Sequence, residues 1–519
     1  MKVIIPMSGM SNRFIAAGYN IPKYLIEVDG KTVIEHIIDL YPKDTEFVCI
    51  LNKKHHDETI AVELLLQKLT EGSTIRVVEP HKLGPVYTVL QVLDCIEDDE
   101  PVIVNYCDFS IKWDYEKFKE HAESTECDGS VICYTGFHPH MLGSDNYAFC
   151  RTEDEKILEV REKQPFTDDK MSEFASAGNY YFKKGSYVKR YFKQLIDEDV
   201  NINGEYYVSL IYNLMIRDGL YNTVFEVPHM LQWGTPYDLD VYNSWSNYYR
   251  KALEGQKEIE LENCTLALPM AGAGSRFSKE GYTESKPFIQ VNSKNMFEQA
   301  VRCLPKTDRT IYACLRKQAA PHPVGGEVLW IDEVLEGQAC TTEKIVEHCV
   351  DGSILVSACD NGVFYDADKF LDLVNDKSND IIVWTYRNNY TSQLQPNAYS
   401  WVNCDDEGNI ISVDVKDFKG TNPVEEFAIT GTMFFRSKEI FNESLQSLYE
   451  NDARTNGEFY VDSMLNEAIK LGYKVKNFEI DNYICWGTPN DLKTYEYWQR
   501  FFNKVDWHPY QYNNDYFTK

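Results

Sequence analysis

One block of this sequence occurs twice. Val3-Ile4-Ile5-Pro6-Met7-Ser8-Gly9-Met10-Ser11-Asn12-Arg13-Phe14 returns, 263 residues later, as Leu266-Ala267-Leu268-Pro269-Met270-Ala271-Gly272-Ala273-Gly274-Ser275-Arg276-Phe277. Lys23 finds Lys286 at the same offset. Further on the offset falls to 253 or 252, so the second copy has lost residues on the way. Gly84 then pairs with Gly337, Thr88 with Thr341, Asp108 with Asp360, Lys163 with Lys416 and Gly178 with Gly431. Asn203-Gly204-Glu205-Tyr206-Tyr207-Val208 matches Asn456-Gly457-Glu458-Phe459-Tyr460-Val461, and Trp233-Gly234-Thr235-Pro236 matches Trp486-Gly487-Thr488-Pro489. The period is far longer than the roughly 20–50 residues of a solenoid unit. A whole domain is therefore read as duplicated, with domains at 1–255 and 256–519 joined in the charged stretch Arg250 to Glu258.

Each copy alternates short β-branched runs with amphipathic helical patterns. Strands are expected at Val3 to Pro6, Phe47 to Leu51, Val102 to Asn105 and Ser130 to Tyr134, with helices at Thr32 to Leu40 and Tyr87 to Cys95. That alternation predicts an α/β domain with a mostly parallel sheet and functional loops at the carboxyl ends of its strands. The tail from Trp507 to Lys519, aromatic and polar, reads as packing or tether.

Charge narrows the partners. With 81 acidic against 52 basic residues the formal charge is −29, which argues against nucleic acid or an anionic membrane as a partner and requires local cations for any anionic substrate. The apolar runs are far too short to span a bilayer, and Met1-Lys2 leads directly into a strand pattern, so a cytoplasmic protein without signal peptide or membrane insertion is expected. Fourteen cysteines without a Cys-x-x-Cys pair fit reduced, mostly buried thiols. His138 and His140 have no third ligand at metal spacing and read as solvated loop residues.

The duplicated positions carry the chemistry. Gly272-Ala273-Gly274-Ser275-Arg276, and the segment from Gly9 to Arg13 in the first copy, place small residues before an arginine. Glycines admit phosphate oxygens to backbone N–H groups, and the guanidinium grips them. A plain turn and a surface lysine are the competing readings; an Arg and a Lys ten residues apart, twice, in an acidic chain favour an anion site. Asp108 and Asp360 follow apolar runs, where a carboxylate can hold Mg²⁺ or cap a turn. Lys163 and Lys416 would be edge-strand lysines but for their recurrence.

Taken together, these motifs resemble the sugar-1-phosphate nucleotidyltransferases (sugar-nucleotide pyrophosphorylases), and more closely their capsule and surface-polysaccharide members, across nearly all of both halves. The resemblance rests on the glycine loop with its arginine, on Ser285-Lys286-Pro287-Phe288 and Pro22-Lys23-Tyr24-Leu25, and on Gly84 to Thr88 and Gly337 to Thr341. It implies two tandem Rossmann-like (GT-A-like) nucleotidyltransferase domains that join a nucleoside triphosphate to a sugar-1-phosphate or similar phosphorylated small molecule, with Mg²⁺ or Mn²⁺ as cofactor and oligomerisation open. Under it Arg13, Lys23, Arg276 and Lys286 stabilise phosphate charge. Gly9, Gly84, Thr88, Gly272, Gly274, Ser275, Gly337 and Thr341 face the nucleotide. Glu162, Lys163, Gly178, Lys416 and Gly431 face the sugar phosphate, and Asp108 and Asp360 bind the metal. Glu205 and Glu458 are candidates for sugar hydroxyls, or else helix N-terminal carboxylates.

The chain also departs from the family pattern. Gln232 and Cys485 stand where many members carry a second metal aspartate, Ser11 replaces a loop glycine, and Val415 replaces the acidic residue before Lys416. The second half therefore has the better nucleotide loop and is expected to be catalytically competent; the first has the better sugar-phosphate segment and is expected to bind a ligand. A catalytic domain joined to a non-catalytic binding copy is one alternative. A GT-A-type glycosyltransferase is another, although Asp108-Phe109-Ser110 and Asp360-Asn361-Gly362 lack its Asp-x-Asp pair.

Overall fold

The computed structural model describes residues 1–143, 145–318 and 325–519. The chain divides into one unit of Met1–Asn243 with Val505–His508, and another of Ser244–Lys504 with Pro509–Lys519. The division falls inside the helix Pro236–Glu254, upstream of residue 255, and the tail contributes to both units.

In the first unit the sheet runs Thr74–Val78, Glu46–Asn52, Lys2–Met7, Val102–Asn105, Phe174–Phe182, Gly129–Tyr134, Asn222–Glu226, Lys156–Glu162, Ala148–Glu153. The first four strands are parallel to one another, and so are Gly129–Tyr134 and Asn222–Glu226. Phe174–Phe182 runs antiparallel to both of its neighbours. The sheet is therefore mixed rather than mostly parallel. The cause is local: Ala148–Glu153, Lys156–Glu162 and Phe174–Phe182 succeed one another with no α-helix between them, and without a crossover a strand returns antiparallel.

The second unit repeats the order: Glu327–Ile331, Lys306–Leu315, Glu260–Pro269, Ser353–Val356, Phe427–Phe435, Ile381–Tyr386, Val475–Glu479. Its antiparallel member is again the long strand after a hairpin, Phe427–Phe435. Sequence pattern explains the local forms. Apolar Val3, Ile4 and Ile5 are fully buried in a strand with a parallel neighbour on each side, the setting in which a continuous apolar run is expected. Val33–Ile38 starts where Thr32 and Glu35 form a reciprocal capping box, and in the second unit Asn295 N–H donates to Glu298 at 2.8 Å before Met296–Arg302.

All fourteen cysteines are free thiols, nine of them buried. Among the described residues no helix is long and apolar enough to cross a membrane. His138 and His140 are not solvated. His138 is 2% exposed, His140 shares a 3.0 Å hydrogen bond with the Tyr134 hydroxyl, and burial pushes the first imidazole down to about 3 and the second well below its ordinary range. Tilted ring contacts with Tyr134 and Tyr147 hold the two imidazoles against the protein.

Candidate functional site

Lys2–Met7 and Val102–Asn105 lie side by side and parallel, so the loops that follow them, 8–11 and 106–108, emerge at the same edge of the first unit's sheet. A cavity of about 520 Å³ opens there. Gly9, Arg13, Lys23 and Asp108 line it, together with Gly84 and Thr88. Glu162, Lys163, Gly178 and Glu205 line the rest. The structure thus brings together all ten residues singled out in the first half.

Each is held for a physical reason. Ser11 adopts φ 54 at the start of Asn12–Ala16, the left-handed geometry that Gly274 adopts at φ 62 before Ser275–Lys279. Its hydroxyl is turned inward, accepting the backbone N–H of Lys23 at 3.1 Å, so the extra side chain does not stand in the loop's mouth. A Cβ on Gly9 or Gly272 would meet nothing within 4 Å, so neither position is crowded by neighbouring atoms. The Arg13 and Arg276 side chains are exposed, and neither guanidinium has a hydrogen-bond or ion-pair partner among the described residues.

Lys23 Nζ reaches Asp108 Oδ2 at 2.5 Å, and Lys286 pairs with Asp360 in the same way. Burial alone would lower each lysine; the facing carboxylate outweighs it and raises both above their ordinary range. Both ammonium groups therefore stay charged.

Gly84, which lines the cavity, also permits a close backbone approach. A Cβ there would lie 2.8 Å from the backbone of Tyr206, at φ +85, so glycine lets two chain segments touch; Gly337 is pressed against Phe459 likewise. Thr88 is buried, its hydroxyl 2.6 Å from Ser8 Oγ and 3.1 Å from His81 Nε2. His81 accepts the Leu83 N–H on Nδ1 at 3.2 Å, so Nε2 carries the proton, and burial holds the ring neutral. Thr341 is buried and bonds back to the Gly337 carbonyl.

At the other end Lys163 adopts φ 58, and Lys416 φ 54, a conformation disfavoured for non-glycine residues and retained in both units. Lys163 Nζ donates to the Tyr207 hydroxyl at 2.6 Å and sits 4.5 Å over that ring, while the hydroxyl donates to Glu205. Lys416 Nζ donates instead to the Ala398 carbonyl, 5.7 Å from the Tyr460 ring. Glu162 is raised to about 7 by burial, against the opposing pull of a 2.6 Å bond from Ser209 and the Lys163 charge. Glu205 lies in a bridge with Ile202, before the turn Val208–Leu210, and so is not a helix N-terminal carboxylate; exposed Glu458 occupies the same kind of bridge, with Thr455. A Cβ on Gly178 would run into the Phe109 ring, whereas one on Gly431 would lie 3.0 Å from the Ala358 methyl.

Tyr207, His81 and Gln232 also line the cavity. Tyr207 had a sequence signal, since Tyr460 repeats it; His81 had none, because the matching position is Val334.

The family model described as Nucleotidyl transferase matches residues 2–204. Among solved structures, a nucleoside-diphosphate-sugar pyrophosphorylase from Vibrio cholerae RC9 is 22% identical, over 46% of this chain and 98% of that one, with a TM-score of 0.40. The inositol-1-phosphate CTP transferase from T. maritima is 17% identical, over 47% and 93%, with a TM-score of 0.36. A UDP-glucose pyrophosphorylase from Acinetobacter baumanii is 17% identical, over 49% and 93%, with a TM-score of 0.37.

Proposed function

We propose that the first unit is a nucleotidyltransferase: a phosphate oxygen of a sugar-1-phosphate, or of a similar phosphorylated small molecule, attacks the α-phosphorus of a nucleoside triphosphate. The bond to the β-phosphate breaks, and a nucleotide-sugar and pyrophosphate leave. The observation that carries this reading is the cavity in which Arg13, Lys23 and Lys163 converge, inside the segment matching the nucleotidyl transferase family. The attacking oxygen is already anionic, so no general base is required; the task is to align two anions and stabilise charge on phosphorus. Unpaired Arg13 is free to meet the triphosphate, Lys23 adds a second cation, and Lys163, steadied by Tyr207, meets the incoming phosphate. Glu162, protonated up to about pH 7, and Glu205 face the sugar. A bound Mg²⁺ or Mn²⁺ would offset phosphate charge, with Asp108 as its carboxylate ligand.

The second unit is proposed to be a duplicated copy that binds a related ligand through Arg276, Lys286 and Lys416. This is favoured by an order shared over seven strands and by the common lysine–aspartate pair, while Val415 stands where the first unit has Glu162. A cytoplasmic role in supplying nucleotide-sugars for surface polysaccharide completes the proposal. The test is pyrophosphate release by the full chain over a panel of nucleoside triphosphates and sugar phosphates. No release with any pair, from a chain whose melting temperature rises with nucleotide, would reduce both units to binding modules.

A further inference from the structure

The tail carries two aromatic residues that meet equivalent places, one in each unit. In the first unit Trp507, from the returning segment Val505–His508, lies 4.8 Å from the His36 ring, and His36 lies 5.1 Å from Trp233. The Trp507 indole N–H donates to the Tyr242 hydroxyl at 3.1 Å, and that hydroxyl donates to Asp29 at 2.8 Å. The Tyr242 ring meets Trp233 edge-on at 5.4 Å. His36 is fixed in turn by a 2.8 Å bond from Nε2 to the Val28 carbonyl. In the second unit Asn292, Gln299, Trp486 and Tyr495 stand where the first has Asp29, His36, Trp233 and Tyr242. There Phe517 takes the tail's part. Its ring lies 5.5 Å from Trp486, and its carbonyl accepts from Gln299 Nε2 at 2.6 Å. Gln299 also donates to the Val291 carbonyl at 2.8 Å, as His36 does to that of Val28, and Trp486 meets Tyr495 edge-on at 5.8 Å. Two different tail residues thus close the same arrangement twice.

The cluster backs a segment that reaches the cavity. Trp233 is buried, and its backbone N–H donates to the Asp108 carbonyl at 2.9 Å. Its neighbours Gln232 and Gly234 line the cavity. A Cβ on Gly234 would stand 3.1 Å from Asp108 Oδ2, the oxygen that Lys23 Nζ meets at 2.5 Å. In the second unit Trp486 N–H donates to the Asp360 carbonyl at 2.8 Å, so the same connection is made there. We infer that Trp507 is a positioning residue of the first unit: through His36 and Tyr242 it clamps Trp233, and so fixes Asp108 and Lys23 at the cavity, as Phe517 clamps Trp486 beside Asp360. A close-packed interior transmits a displacement rather than absorbing it. Misplacing a reacting group by about 1 Å costs on the order of a hundredfold in rate. The inference deepens the proposed reaction and rests on it for the effect on rate; the clamp itself does not depend on turnover.

The experiment is amide hydrogen exchange of the full chain without ligand, read by mass spectrometry over residues 106–112, 229–234 and 482–487, alongside steady-state pyrophosphate release. Trp507→Ala should speed exchange at 106–112 and 229–234 about tenfold and spare 482–487, and Phe517→Ala should do the opposite. In the Trp507→Ala chain kcat should fall about tenfold, while KM for the sugar phosphate, proposed to be met by Lys163, stays within about twofold. Exchange at 229–234 as slow as in the wild-type chain overturns the inference. So does exchange that rises equally throughout the first unit's sheet, the mark of general loosening, and so does faster exchange with an unchanged kcat, which would leave Trp507 as packing alone. Should Trp507→Ala fail to fold, Trp507→Leu, which keeps apolar bulk without the ring or the indole N–H, is read against the same outcomes. Localised exchange in a chain that releases no pyrophosphate would sink the proposed reaction and spare the clamp; turnover with exchange indifferent to Trp507 would do the reverse.

Discussion

The two units share their charged positions and differ in what surrounds them. Arg13 and Arg276, Lys23 and Lys286, Asp108 and Asp360, Lys163 and Lys416 occupy matching places on matching strands. Around them Tyr106 becomes Ala358, Phe109 becomes Asn361, Glu162 becomes Val415 and Gln232 becomes Cys485. Common and divergent residues alike line the first unit's cavity. The matching positions are the charged ones, and the positions that differ are those that give the first unit's cavity its shape and polarity.

The sharpest way to break that comparison is to remove one arginine at a time. Arg13→Ala should lower pyrophosphate release by about a hundredfold or more, since it deletes a charge-assisted contact to the reacting phosphates. Arg276→Ala should leave turnover within about threefold. Reversed results would move the chemistry to the second unit, as its intact glycine loop suggests.

The lysines proposed to meet the sugar phosphate come next. Lys163→Met should raise KM for the sugar phosphate by tens of fold, and Tyr207→Phe by about tenfold, because the phenol steadies the ammonium by a 2.6 Å bond. Lys416→Met should not change that KM; an equal rise would make the two lysines equivalent.

Glu162 separates the units by pH. Its carboxyl holds a proton to about pH 7 when folded, because burial raises it, and to about 4.5 when unfolded. The folded state thus binds more protons in between, and stability falls as pH rises from about 4.5 to 7, by an order of about 2–3 kcal/mol, then levels off. Glu162→Gln should lack this fall and melt higher than wild type at pH 8 but not at pH 4.5. Parallel melting curves across that range would contradict the assignment. The second unit, with Val415, has no such dependence from this position.

The smallest effects are expected at the loop. Gly274→Ala places a Cβ 3.3 Å from that of Lys286 in a left-handed backbone and should cost about 1–2 kcal/mol in denaturant unfolding. Ser11→Gly relieves that backbone penalty but removes the acceptor for Lys23 N–H, so the two changes should nearly cancel, within about 1 kcal/mol. A large loss in Ser11→Gly would mean that the hydroxyl matters more than the backbone.

Much of this was legible because the chain carries its own comparison. The offset alone singled out Arg13, Lys23, Asp108 and Lys163, and the strands at Val3, Phe47, Val102 and Ser130 followed from apolar runs long enough to be buried on both faces. The antiparallel return of Phe174–Phe182 was not legible, because periodicity reports burial and not direction. The left-handed backbone of Lys163 was hidden because lysine carries no glycine-like signal. The burial of His138 and His140 was hidden as well, since aromatic packing from Tyr134 and Tyr147 depends on tertiary contacts.

The return of Val505–His508 to the first unit sets an order of events during synthesis. Trp507 packs 4.8 Å from His36, which lies 5.1 Å from Trp233, the neighbour of Gln232, and its indole N–H donates to Tyr242 at 3.1 Å. A ribosome moving at about 5–20 residues per second needs tens of seconds to travel from the end of the first segment to Trp507. Until then the first unit, though made first, waits for its last four residues, and a chain cut at residue 255 would wait indefinitely.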